Sequence, residues 1–169
     1  MPKPQKTEYP SFYAGYIDKV PEGNVPAMLK SQSEKTRNLF ESLTEGQANQ
    51  SYAPGKWTLK EVLGHIIDAE RVFSYRVLCM ARGDQQPLPG MDQDLYVSQA
   101  HFATRSLKSL IEEYDAVRKA TLLFIDHITE ADLAKTGTAN QGHFTVNALM
   151  HIICGHELHH IGIIQARHL

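Results

Sequence analysis

The chain has little of what marks a secreted, membrane-spanning or nucleic-acid-binding protein. Only two of its 169 residues are cysteine, Cys79 and Cys154, and neither stands in a C-x-x-C pair. Two thiols cannot build the disulfide framework of a small secreted domain. They read as buried, small apolar side chains in a reducing, cytoplasmic setting. No stretch approaches ~18 uninterrupted apolar residues, so no membrane span is expected. The opening MPKPQKTEYPSF has two lysines but no apolar segment behind them, so no secretory signal is expected. A basic excess is missing too: Lys+Arg 17 against Asp+Glu 19 leaves a net charge of -2. That balance leaves room for a local basic patch but not for a chain-wide phosphate-tracking surface, and no nucleic-acid partner is expected. No internal repeat or low-complexity tract is found, and no apolar/polar alternation runs longer than a few residues.

What remains is an ordinary globular composition, 42% hydrophobic and 21% charged, at the length of about one domain. Residues 1–23 are rich in Pro, Tyr and Gly and read as an extended arm. Its Tyr9, Phe12, Tyr13, Tyr16 and Ile17 suggest packing on a body formed by residues 24–169. The first helix starts at Asn24, with Pro26 in its first turn, and runs to about Glu45 before Gly46. After the Pro54-Gly55 turn, Thr58-Leu59-Lys60-Glu61 is a capping box. The second helix follows with His65, Ile66, Ala69, Phe73, Arg76, Val77 and Met80 on one face, and ends at Gly83. Residues 83–97 read as a long crossing loop. A third helix fits Ser98–Ile128, with an extra turn near Thr129–Lys135 and a polar loop, TGTANQGHF, beyond it. Thr145 caps the fourth helix, whose inner stripe is Leu149, Ile152, Ile153, His156 and His160, then Ile163 or Ile164. Four long helices with no sheet point to an all-α fold, an antiparallel four-helix bundle with an N-terminal arm and long connecting loops.

Histidine is the one excess. Nine are present, and His151, His156, His159, His160 and His168 fall in the closing nineteen residues. His156 and His160 are four apart, so their rings stand one turn apart on one helix face. Both lie in the apolar stripe, where two neutral imidazoles need partners that a metal ion supplies. His65 is the only histidine of the second helix and is also in its stripe. If the helices are neighbours, three imidazoles converge inside the bundle and leave a coordination position open, the pattern of a catalytic site. The bland alternative is a set of core and surface histidines. His156-Glu157-Leu158-His159-His160 also reads as H-E-x-x-H, but a zinc protease needs a further ligand downstream, and His168 is the sole candidate.

Several other residues carry two readings. Asp68 is either the acceptor for the second ring proton of His65 or a solvated carboxylate. Arg76 is either half of an ion pair or an anchor for an anionic substrate group. His151 points away from His156, and His159 stands one position off the inner face. Trp57 reads as a staple beside the helix cap. Tyr52, Tyr75 and Tyr96 are candidates for a pocket mouth.

The segment Lys56-Trp57-Thr58-Leu59-Lys60-Glu61-Val62-Leu63-Gly64-His65-Ile66-Ile67-Asp68-Ala69-Glu70 resembles the second-helix motif of the DinB/YfiT-like superfamily. The segment from His151 through His156-Glu157-Leu158-His159-His160 to Ile164 resembles its last-helix motif. The resemblance implies a four-helix bundle that holds a divalent metal through His65, His156 and His160. Ile163 stands where the family commonly has Gln after the last ligand, with Gln165 two further on. That departure spares the ligands but blurs the substrate. Members of the family include thiol-dependent transferases and isomerases, and others are described as metal-dependent hydrolases. The implied function is a metal-dependent enzyme on a small molecule, a thiol-dependent transferase or a hydrolase. Zinc or nickel is the leading ion, iron or manganese the alternative, and a low-molecular-weight thiol a candidate cofactor. The competing readings are a non-catalytic metal-dependent binding or stress-response module, and a histidine-rich bundle with no site. Bundles of this kind often pair through an outer face, so a homodimer is a further expectation.

Overall fold

Four long helices carry the apolar stripes read from the sequence, and short elements fill their connections. In a computed structural model, which describes residues 1–167, α1 is Ala14–Ile17, α2 Val25–Glu41, α3 Glu45–Ala48, α4 Leu59–Ala81 and α5 Gln93–Ala100. Beyond them α6 is Leu107–Ile125, α7 Glu130–Leu133 and α8 Val146–Arg167, with strands β1 Thr136–Ala139 and β2 Gly142–Thr145 ahead of α8. His168 lies outside the described residues.

The helix starts are set by local chemistry. Asn24 Oδ1 accepts from the Ala27 N–H at 2.9 Å, with Pro in the first turn. At α4 the box closes both ways: the Thr58 N–H donates to Glu61 Oε2 at 2.7 Å, and the Glu61 N–H to Thr58 Oγ1 at 3.2 Å. Thr145 Oγ1 accepts from the Ala148 N–H at 3.0 Å and opens α8. Each cap satisfies orphan donors and contributes about 1 kcal/mol.

The bundle is a ring in which α4 neighbours α8 and α6, and α2 neighbours α6 and α8. The α4–α8 and α2–α6 pairs are antiparallel. The other two neighbouring pairs are parallel: Lys60 and Glu70 of α4 meet Arg105 and Arg118 in the same order, and Gln32 and Thr36 of α2 meet Cys154 and Glu157 in the same order. Consecutive parallel helices need a connection that returns along the bundle, about 34 Å for a helix as long as α4. The 82–106 segment provides it.

Several segments differ from their sequence pattern. The third helix begins at Leu107, because His101 takes a left-handed φ of 53° that ends α5, and Ser106 then caps α6 afresh. The first helix stops at Glu41, and Thr44 caps the separate α3. The 136–145 segment is a hairpin rather than a loop, with Asn140 (φ 48°) and Gln141 (φ 61°) forming a two-residue turn of the kind that matches strand twist. Leu88 of the crossing segment pairs with the β1 edge on either side of Ala139, its N–H donating to Thr138 O at 2.9 Å and its carbonyl accepting from the Asn140 N–H at 3.0 Å. The arm turns helical at Ser11, and Tyr9, Tyr13, Ile17 and Val20 are buried.

Two apolar clusters result. One joins the arm, the second half of α4 and the first half of α8. The other joins α3, the first half of α4, α6 and Ile164. The inner histidines fall between them.

Candidate metal centre

His65 is the seventh residue of α4, on the stripe that buries Ile66, Ala69 and Phe73. His156 and His160 lie one turn apart on α8, which runs antiparallel beside it. The structure brings all three together. His65 Nε2 and His156 Nε2 are 3.0 Å apart, and His160 Nε2 is 3.2 Å from His156 Nε2. The three ligand atoms lie within 4.8 Å of one another.

That spacing fits a shared ion. Two nitrogens bound at ~2.05 Å to one tetrahedral ion would be about 3.3 Å apart. The protonation states fit as well. Burial pushes His65 down from its ordinary value to about 4 and His160 to about 3. His156 is held well below its ordinary value, first by burial and then by the neighbouring imidazoles. All three are therefore neutral at pH 7. A neutral imidazole offers one ring nitrogen as an acceptor, and with each ring protonated at Nδ1 the three Nε2 atoms would be free to hold one cation. His65 Nδ1 is buried with no hydrogen-bond partner. Of the two readings of Asp68, the structure gives the partly solvated carboxylate: it faces Arg71 at 3.5 Å.

Glu157 turns away from this set, which removes the H-E-x-x-H reading. It is 1% exposed and faces the bundle interior. It accepts from Tyr114 Oη at 2.7 Å, from Thr36 Oγ1 and from the Arg118 guanidinium. Arg118 is also bidentate on Glu70, at 2.9 Å and 2.7 Å. The sequence reading missed Arg118 and Glu70, since charges on a helix normally mark a wet face. The other histidines stay apart: His151 is buried with Nδ1 2.9 Å from Asn147 O, and His159 is half-buried against Tyr16. Both cysteines are free and buried, and burial pushes the Cys154 thiol up to about 12.

A cavity of about 430 Å³ opens onto His65 and His156. Its walls come from α4, α8, the hairpin turn and the arm. Tyr75 and Tyr96 are exposed outside it, and Tyr52 lies beneath Arg167. The aromatic residues at the cavity are Phe12, Tyr13 and Tyr16 of the arm, with Phe73 and Phe144. The Tyr16 ring stands 5.4 Å from that of His156, and the Trp57 ring lies 4.9 Å from that of His65. The arm's aromatic spacing was visible in the sequence, but nothing there showed where it docks.

An open three-imidazole donor set inside a helix bundle defines a class of metal-binding bundle proteins. The DinB superfamily model matches residues 28–164, and the chain belongs to that superfamily. It is similar, at 23% identity over 153 residues (88% of this chain and 87% of the other), to a protein of Oceanobacillus iheyensis named "Putative metal-dependent hydrolase". Its fold is similar to that of YfiT from Bacillus subtilis, at a TM-score of 0.76 and 16% identity over 88% of this chain and 90% of that one. YfiT is described as "a probable metal-dependent hydrolase with an unusual four-helix bundle topology".

Proposed function

We propose that the protein is a metal-dependent hydrolase of small molecules, with a divalent ion held by Nε2 of His65, His156 and His160. The observation that carries this reading is the convergence of three neutral, desolvated imidazole nitrogens, two of them, on His65 and His156, at an open cavity. A divalent ion in such a site supplies Lewis acidity and brings the pKa of water near neutrality. Three protein ligands leave room for water and substrate. The names of the relatives point to hydrolysis before thiol transfer.

The chain's own residues supply the rest. Among the described residues no Asp or Glu lines the cavity, so they offer no carboxylate base to the reacting group. Burial raises the Tyr16 phenol, which stays a neutral hydrogen-bond donor on the cavity wall. Phe73, Tyr13 and Phe144 exclude water from the approach, which strengthens polar interactions at the floor.

The test is elemental analysis of untagged protein purified without metal columns, beside His65→Ala and His156→Ala. About one equivalent of divalent metal in the parent, lost in both folded variants, is expected for a three-ligand site. Retained one-to-one metal in the variants overturns the assignment. Chelator-sensitive turnover in a panel of esters and amides is the expected activity. Turnover only with an added low-molecular-weight thiol overturns hydrolysis in favour of transfer, and metal binding with neither activity favours a binding module.

A further inference from the structure

We propose that the cavity is selective for substrates with an anionic end, and that Arg76 is the residue that holds it. This deepens the hydrolase reading by naming a substrate class, and it rests on that reading only for the chemistry at the other end.

Two arginines are buried in this fold, and their surroundings differ. Arg118 is 1% exposed and neutralised by Glu70 and Glu157. Arg76 is 3% exposed and has no carboxylate partner among the described residues. Its one hydrogen bond is from Nη2 to Pro89 O at 2.8 Å. Nε and Nη1 make no hydrogen bond, yet they are not among the sealed, orphaned atoms. They therefore keep some contact with solvent, and Arg76 is one of the residues that line the cavity of His65 and His156. A guanidinium presents five donors in a flat fork that matches a carboxylate or phosphate. Burying one with a single carbonyl leaves most of that capacity unused, which is costly unless a ligand completes it.

The rest of the lining agrees. Beside Arg76, its polar side chains include the amides of Gln93, Asn140 and Gln141, and none of its residues is acidic. A chain with a net charge of -2 thus carries a cavity whose one fixed charge is positive. Phe73 links the two ends. Arg76 Cζ is 5.6 Å from its ring centre, and that centre is 5.7 Å from the centre of His156. Guanidinium and imidazole are therefore at most about 11 Å apart, the sum of the two. A short molecule with an apolar middle spans that distance along Phe73, its anion on Arg76 and its reacting group at the histidines.

The test compares 4-phenylbutyrate with its uncharged amide by calorimetric titration, up to millimolar concentration, on the full chain as purified with its metal content recorded. The carboxylate is expected to bind at least about tenfold tighter, the usual scale of a charge-assisted pair. In Arg76→Met the preference is expected to vanish, and in Arg76→Lys to shrink, with metal content unchanged and both variants folded. A merely structural role through Pro89 would move stability and leave the preference intact. Equal binding of the two probes, no binding of the carboxylate, or a preference that survives in Arg76→Met overturns the proposal. The comparison in the parent protein needs no variant to fold. Dependence of the preference on Arg76 in protein that carries no metal would keep the anion anchor while the hydrolase reading fails.

Discussion

Gly155 sits on α8 immediately before His156, where the helix meets the backbone of the arm. A Cβ added there would stand 2.1 Å from Tyr16 O and 2.5 Å from its carbonyl carbon. Ordinary contact begins near 3.4 Å, so the arm would have to retreat by about 1.3 Å or the helix would have to bend. Neither neighbour is the tip of a flexible side chain. Overpacking of this kind costs about 1–3 kcal/mol. Replacing a helical Gly by Ala returns up to about 1 kcal/mol through propensity. Gly155→Ala should therefore leave stability unchanged or lower it by up to about 2 kcal/mol. Gly162 is the internal control: it lies on the same helix with nothing within 4 Å of a Cβ. Gly162→Ala should gain about 0.5–1 kcal/mol. The propensity gain is common to both, so the two melting temperatures should differ by the overpacking cost, about 2–12 °C at about 2–4 °C per kcal/mol for a domain of this size. Because the strain falls on Tyr16, chymotrypsin should also cut the arm of the Gly155 variant faster under native conditions. A Gly155→Ala protein as stable as Gly162→Ala, with its arm equally protected, would refute the close docking of the arm over the site.

Arg118→Met should cost about 3–5 kcal/mol in urea unfolding, because it leaves Glu70 and Glu157 buried without a cation; a loss under about 1 kcal/mol would show that water enters there. Metal-free protein should lose stability on acidification, since the folded chain keeps His65, His156 and His160 neutral while the unfolded chain protonates them. The stability is complete above about pH 6.5 and falls by up to about 1.4 kcal/mol per histidine for each unit below it, so a melting temperature flat from pH 7.5 to 5.5 would contradict the burial of the set. Trp57 is the one tryptophan and lies 4.9 Å from the His65 ring. Copper(II) or nickel(II) should quench its emission, reversibly by chelator, and His65→Ala should abolish the saturable part of the effect.

The sequence was most legible where one residue's chemistry acts on its own neighbours. The helix start at Asn24, the caps at Thr58 and Thr145 and the stripe from His65 to Met80 are local, and all appear as read. The convergence of His65 with His156 and His160 followed from two stripes once the helices were taken as neighbours. Legibility failed where the partner was remote. Arg118, Glu70 and Glu157 look like surface charges until each is seen to neutralise another, 39 to 48 residues away. The direction of α6 beside α4 was hidden for a similar reason, as a long connection allows a parallel or an antiparallel return. The hairpin escaped notice because its strands have four residues each and its turn is Asn-Gln, without the glycine that usually signals such a turn. On α8 every residue from Val146 to Glu157 is buried, so its helical stripe offers little contrast to say which face holds the site.

The buried polar network and the imidazole set are two sides of one construction. Thr36 comes from α2, Glu70 from α4, Tyr114 and Arg118 from α6 and Glu157 from α8, so one cluster touches all four bundle helices. Glu157 follows His156 directly, and Glu70 is five residues beyond His65, so the cluster clamps the same two helices that carry the imidazoles. Apolar contacts alone tolerate sliding, whereas a bidentate guanidinium between two carboxylates has a narrow geometry. A slip of one helical turn, about 5.4 Å, would break the Arg118 bonds and part the Nε2 atoms beyond the reach of one ion. The desolvation of three charges is thus met during folding, and the three imidazoles stand together in the folded chain. The charge balance acts in the same sense. Two carboxylates against one guanidinium leave the cluster negative on the far side of His156, which favours a cation among the imidazoles and disfavours an anion held there alone. An anionic substrate therefore enters against that field unless a second positive charge meets it further along the cavity, and Arg76 is where the chain provides one.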